Sequence, residues 1–273
     1  MKMYKKVMAA ALAGVMTVSM SATAFAADDD GYILKATNED SKSSDNDLVI
    51  AIEGSVSSMD PANIPDTNAI SATRGVYETL VSFDENQELT GKLAESWEVS
   101  DDSLTYTFKL RQGVKFQDGT DFNAAAVKAN YDRVVNKDNN LRQRRTFIVT
   151  NEDGSETPRV DSIETPDDYT LVIKLTQAWA PFINRLTQFC IISPAALEEY
   201  GNDIMNHPCG TGPYVCTEWE EGDHTSFKRN DDYWGDKPGV DTVTIKEVPE
   251  AGARTAMLQT CLLYTSPSPR DKR

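Results

Sequence analysis

Over residues 104–122 the chain alternates between apolar and polar positions. Leu104, Tyr106, Phe108 and Leu110 interleave with Thr105, Thr107 and Lys109, the period of two that sends successive side chains to opposite faces of a strand. Gly113 interrupts the pattern, Val114 and Phe116 resume it, and Asp118-Gly119 supplies the pair of positive-φ residues that a tight hairpin turn requires. A continuous apolar run over 48–52 predicts a strand buried on both faces. Further strands are expected over 169–175, 190–192, 214–219, 225–228 and 242–245. Helical spacing takes over at Ile70, Arg74, Tyr77 and Leu80, with Thr67 or Asn68 as cap, and at Val127, Tyr131, Val134 and Val135 behind Asn123. Phe182, Ile183, Leu186 and Phe189 predict a short helix, Pro194 opens another, and one more starts near Ala251. Alternation without an internal repeat predicts a mixed α/β chain with a small antiparallel portion.

Both ends fall outside this pattern. Lys2, Lys5 and Lys6 precede an apolar run over 7–20 and then Ala24-Phe25-Ala26, the layout of a secretory signal peptide cut after Ala26. That run is too short for a spanning helix, and no cysteine at the cut offers a lipid anchor, so a product free in the periplasm or outside the cell is expected. Residues 27–46, acidic and serine-rich, read as a disordered leader. At the other end, residues 261–273 match the translation of a common transposase sequencing adaptor, which places the end of the genuine reading at Thr260.

The whole chain carries a formal charge of −16. Because both set-aside ends are net basic, the remainder is more acidic still, which argues against nucleic acid or an anionic membrane as partner. Of the 4 cysteines, Cys261 belongs to the adaptor segment. In an oxidising compartment Cys190 and Cys209 are the favoured disulfide, closing a loop worth roughly 3 kcal/mol in chain entropy, with Cys216 left over. Only 2 histidines are present, too few to favour a metal site, and no cofactor is expected.

Candidate chemistry is sparse. His207 precedes Pro208, His224 sits in a Glu-Gly-Asp-His loop, and no G-x-S-x-G occurs, so a secreted hydrolase is the distant alternative. Gly210-Thr211-Gly212 leads through Pro213-Tyr214 into a strand rather than a helix, so it is no phosphate cradle. Arg142, Arg144 and Arg145 could hold a carboxylate, against the ordinary reading of a solvated face. Trp97, Trp179, Trp219, Trp234, Tyr214 and Tyr233 could line a cleft, against the ordinary reading of packing.

Six motifs taken together carry a resemblance: Ser57-Ser58-Met59-Asp60-Pro61, Val76-Tyr77-Glu78-Thr79-Leu80, Leu93-Ala94-Glu95-Ser96-Trp97, the 104–122 hairpin, Gly210-Thr211-Gly212-Pro213-Tyr214, and Arg229-Asn230 with Tyr233-Trp234-Gly235. In order and spacing they resemble the family 5 extracellular solute-binding proteins, the peptide, dipeptide and nickel binding components of ABC importers. The resemblance implies a type II periplasmic-binding-protein-like α/β fold with two lobes that close on a ligand by hinge motion. It implies that residues 47–77 and 181–260 belong to lobe I, that 78–180 form a subdomain of it, and that the second lobe is missing. Short peptides are the implied ligand, with nickel chelates, oligosaccharides or glutathione as alternatives, a membrane permease the implied partner, and a monomer the implied state. By register, Ile64, Pro65, Asp66, Thr67 and Asn68 border bound peptide in relatives, and Gln188 and Phe189 are further ligand-binding candidates.

Overall fold

A computed structural model describes residues 46–259, preceded by two isolated two-residue strands, β1 (Ala26–Ala27) and β2 (Leu34–Lys35), which pair antiparallel. The rest of the expected signal peptide, of the leader and all of the adaptor segment lie outside the described residues. β1 spans the expected cleavage point and β2 falls within the expected leader.

The chain then runs β3 (Asp47–Ile52), a 3-10 turn at Pro61–Asn63, α1 (Thr67–Thr73), β4 (Glu78–Thr79), β5 (Val81–Phe83), β6 (Leu89–Gly91), β7 (Ala94–Val99) and β8 (Thr105–Leu110). Next come α2 (Ala124–Val135), α3 (Arg144–Phe147), β9 (Ile148–Thr150), β10 (Glu156–Pro158), β11 (Val160–Asp167) and β12 (Thr170–Leu175). The remainder is α4 (Phe182–Leu186), β13 (Cys190–Ile191), α5 (Pro194–Tyr200), β14 (Tyr214–Glu220), β15 (His224–Arg229), β16 (Thr242–Glu247) and α6 (Ala251–Gln259).

Two four-stranded sheets organise these elements. One has the order β11-β12-β8-β7 and is antiparallel throughout. Tyr106, Phe108 and Leu110 of its β8 are buried, as the alternation demands, and they join a core that continues into α2 and the β4 region. Asn123 caps α2 by accepting a hydrogen bond from the Ala126 amide at 2.9 Å, and Val127 and Val134 face inward. The other sheet has the order β14-β15-β16-β3, antiparallel except where β3 runs parallel to β16 with Leu48 opposite Val243.

Several expectations are corrected. β3 is an edge strand, so only Leu48 is fully buried and 49–52 are partly covered. The cap of α1 is Asp66, which accepts from the Ala69 amide at 2.8 Å, not Thr67 or Asn68. That helix ends at Thr73, whose hydroxyl donates back to the Ala69 carbonyl at 2.8 Å, so Tyr77 and Leu80 are buried beyond the helix. Of the Asp118-Gly119 pair only Gly119 is left-handed, at φ +84°, because Asp118 instead accepts from the Thr120 amide at 2.9 Å and closes the turn with its side chain. β11 went unread because Pro166 interrupts it; the strand tolerates a proline at a sheet edge, with a register shift between Glu164 and Asp167. Cys190, Cys209 and Cys216 are free thiols, so the expected Cys190–Cys209 bond is not formed. Cys190 sits on β13 opposite Thr79 and near Arg74, whereas Cys209 lies beside Asp118 and Ser193.

Candidate functional site

The loop over 60–68 is held from both sides. Asp60 is buried, accepts from the Ala62 amide at 3.0 Å, and receives both guanidinium nitrogens of Arg133 on α2, at 2.6 and 3.2 Å. Removing two charges from water is costly unless the geometry is good, and a bidentate fork provides it. Asp66 caps α1 and also accepts the hydroxyl of Ser57, which ties the loop to the chain behind it.

Gln143 joins this loop to a second one. Its amide donates to the Ala62 carbonyl at 3.0 Å, and its side-chain amide donates to the Gln188 carbonyl at 2.6 Å. Between these segments lies a cavity of about 240 Å³. That is smaller than the ~300–1,000 Å³ of a typical ligand pocket, so it can seat part of a ligand rather than enclose a whole one. Ile64, Ile70 and Gln188 line it, and Ile70 is one of two exposed large hydrophobics among the described residues, at 39%.

The far wall is a buried polar network. Glu78 accepts from Tyr233 Oη at 2.7 Å, Trp234 Nε1 at 2.7 Å and Thr211 Oγ1 at 2.6 Å, and it pairs with Lys92 Nζ at 3.2 Å. Both ionic partners are about 95% buried, so the acceptor capacity of Glu78 has to be filled from within. Gly210 and Gly212 make this possible: a Cβ on either would come within 2.6 Å of a backbone oxygen of the 75–76 segment. The Gly-Thr-Gly motif is thus a close-packing device that delivers Thr211 to Glu78.

Among the sequence-predicted site residues, Ile64 and Gln188 meet at the cavity. Pro65 and Thr67 are exposed beside it, Asp66 caps the helix, and Asn68 lies against Gly54, while Phe189 is buried in the core with its ring edge-on to Phe147 at 5.2 Å. The aromatic candidates serve packing and hydrogen bonding: Trp219 donates to the Val56 carbonyl at 2.9 Å, Trp179 stacks on Arg159 at 4.0 Å, and Trp234 belongs to the Glu78 network. Arg144 is taken by Glu156, but Arg142 and Arg145 of the same cluster line the cavity, a placement the sequence offered only as the lesser reading. Two polar groups on the cavity wall, Tyr77 Oη and Ser82 Oγ, are buried without a hydrogen-bond partner among the described residues. Burial, with Asp60 nearby, pushes the Tyr77 hydroxyl well above its ordinary range, so it is a neutral donor.

Elsewhere, Glu220, Asp223 and His224 place ligand atoms within 4.8 Å of one another at the β14–β15 turn. Both ring nitrogens of His224 already face carboxylates, Asp223 at 2.6 Å and Glu218 at 3.3 Å. Those contacts, Asp223 first, outweigh partial burial and raise the imidazole above its ordinary value. The cluster therefore reads as a surface ion-pair group. Among the described residues no helix is long and apolar enough to cross a membrane.

Residues 88–269 match the family model described as bacterial extracellular solute-binding proteins, family 5 middle, a match that reaches past Thr260. The chain is 41% identical over 217 residues to the glutathione-binding protein GsiB of Salmonella typhimurium, covering 78% of this chain and 40% of GsiB. Among solved structures it resembles the periplasmic binding protein DppA of Helicobacter pylori in complex with the peptide STSA, with a TM-score of 0.67 and 31% identity over 80% of this chain and 45% of that one. It resembles NikZ of Campylobacter jejuni in complex with Ni(L-His) with a TM-score of 0.71 and 27% identity, over 80% and 42% of the two chains. The chain thus spans less than half the length of these relatives. Its mixed α/β architecture is that of the periplasmic binding proteins, its relatives are solute-binding proteins rather than enzymes, and the chain belongs to the bacterial extracellular solute-binding proteins, family 5.

Proposed function

We propose that the protein is an extracytoplasmic solute-binding receptor of an ABC importer, which takes up short peptides in a cleft between two lobes and hands them to a membrane permease without chemical change. The observation that carries this reading is the cavity, where two segments more than a hundred residues apart, Ile64 with Ile70 and Gln188, are joined through Gln143. In this reading residues 47–77 and 181–260 build lobe I, and 78–180, which hold the antiparallel sheet, are its subdomain. The peptide in the DppA complex supports the ligand class. Glutathione is the second reading, favoured by the identity to GsiB. Nickel chelates and oligosaccharides rank below both.

The test is a thermal-shift and calorimetry panel on the full-length gene product with tripeptides, tetrapeptides, glutathione and nickel–histidine. A ligand that binds only the folded receptor raises its melting temperature by mass action. Stabilisation by peptides without turnover is expected; turnover without stabilisation overturns the receptor reading in favour of a secreted hydrolase.

A further inference from the structure

In a chain of net charge −16, the cavity wall collects Arg74, Lys92, Arg142, Arg145 and Arg185 against a single acid, Glu78. Glu78 is already committed to Lys92 at 3.2 Å. Arg142, Arg145 and Arg185 are exposed, and none of them pairs with a carboxylate among the described residues. Elsewhere, Lys115, Lys128, Arg144 and Arg229 each meet an acid, while exposed cations such as Lys137, Lys174 and Lys246 do not line this cavity. Like charges gathered in one concavity repel one another, and a low-dielectric wall focuses their field outward, so an anion entering it gains what the protein alone leaves unsatisfied. An independent observation points the same way. Tyr77, 2% exposed, and Ser82 present buried oxygens to the same wall with no partner among the described residues. A buried polar group left so destabilises the fold until something arrives to bond it.

We propose that this cavity is a subsite for a ligand bearing at least two carboxylates, gripped by Arg142, Arg145 and Arg185, with Tyr77 Oη and Ser82 Oγ bonding a neutral polar group of the same molecule. Guanidinium forks suit this ligand because each binds a carboxylate through two parallel hydrogen bonds. The arginines discriminate by charge, and the two hydroxyls by a neutral group beside it. The inference rests on the receptor reading and narrows it to acidic peptides.

The experiment is titration calorimetry on the full-length gene product with Ala-Glu-Ala, its C-terminal amide, and the amide of Ala-Gln-Ala, which carry two, one and no carboxylates. Affinity falling about tenfold with each carboxylate removed is expected, since each carboxylate takes its charge-assisted hydrogen bonds with it. In the Arg142→Gln, Arg145→Gln double variant that gradient should flatten. Arg144→Gln, on the same loop but engaged with Glu156, should leave it intact. Tyr77→Phe should keep the melting temperature of the free protein and weaken Ala-Glu-Ala about fivefold. Equal affinity for all three peptides overturns the carboxylate subsite and leaves the receptor reading standing. Failure of every peptide in the wider panel overturns both.

Discussion

The guanidinium of Arg133 takes both carboxylate oxygens of Asp60, at 3.2 and 2.6 Å, with the two side chains 11% and 9% exposed. This fork fastens the 60–68 loop to the last turn of α2, so the loop beside the cavity is positioned by a helix that does not itself line the cavity. Arg133→Ala leaves a buried carboxylate with no counter-charge and is expected to lower unfolding free energy by about 3–5 kcal/mol. Urea denaturation checks it. A loss under 1 kcal/mol would mean the pair is solvated.

The Glu78 network should respond to partner loss rather than to charge alone. Glu78→Ala removes the acceptor that Lys92, Tyr233, Trp234 and Thr211 share, and an expected loss of about 3–5 kcal/mol follows from burial of the lysine without its counter-charge. Adding Lys92→Met to Glu78→Ala should recover part of it, which a thermal melt of single and double variants resolves. No recovery would assign the cost to the stranded hydroxyls and indole instead.

Acid should loosen the joint between the hairpin and α5. Burial tends to raise the Asp118 carboxyl, but hydrogen bonds from Ser193 and Thr120 outweigh it and hold it below its ordinary value. A depressed folded value means that the unfolded chain binds the proton first. The contribution is therefore complete above about pH 4 and fades as pH falls through the folded value. Plotted from pH 6 to 2, the urea midpoint of Ser193→Ala should fall less steeply than that of the parent; parallel curves would remove Asp118 from the acid limb.

Thiol chemistry should be quiet in the native state. Burial pushes Cys190 and Cys209 up to about 12 and Cys216 up to about 11, and the thiolate is the reactive form. Iodoacetamide at pH 8 should leave all three unmodified in the folded protein and alkylate each after denaturation without reductant. Cys190 and Cys209 resisting alkylation in denaturant would show that they had paired after all.

What could be read beforehand followed from local rules. β8 and α2 announced themselves because Tyr106, Phe108 and Leu110, and then Val127 and Val134, carry undisturbed periods behind a good cap, Asn123. β11 did not, since Pro166 breaks a strand pattern and only its place at the sheet edge makes the break harmless. At the site, Ile64 came from family register and Gln188 was a further candidate; both line the cavity. Phe189 lies in the core, and an aromatic next to a loop looks the same in sequence whether it faces solvent or Phe147. Arg142 and Arg145 were visible as a basic cluster. Their shared cavity with Arg185 depends on Gln143 bridging Ala62 and Gln188, a long-range contact with no local trace. The cysteine pairing failed for the same reason: spacing says nothing of Thr79 standing beside one thiol and Asp118 beside the other.

The parallel pairing of β3 with β16 sets an order of events. Asp47–Ile52 is made before every other strand of its sheet, yet its ladder partner, Thr242–Glu247, lies 195 residues further along the chain. Until then the strand has no neighbour to zip against, and such a distant closure is slow because the intervening loop's entropy is spent before the contact forms. The first strand of that sheet to be made therefore waits for β16. That keeps the nascent chain open, and it makes Leu48 and its neighbours the surface that a chaperone would have to cover.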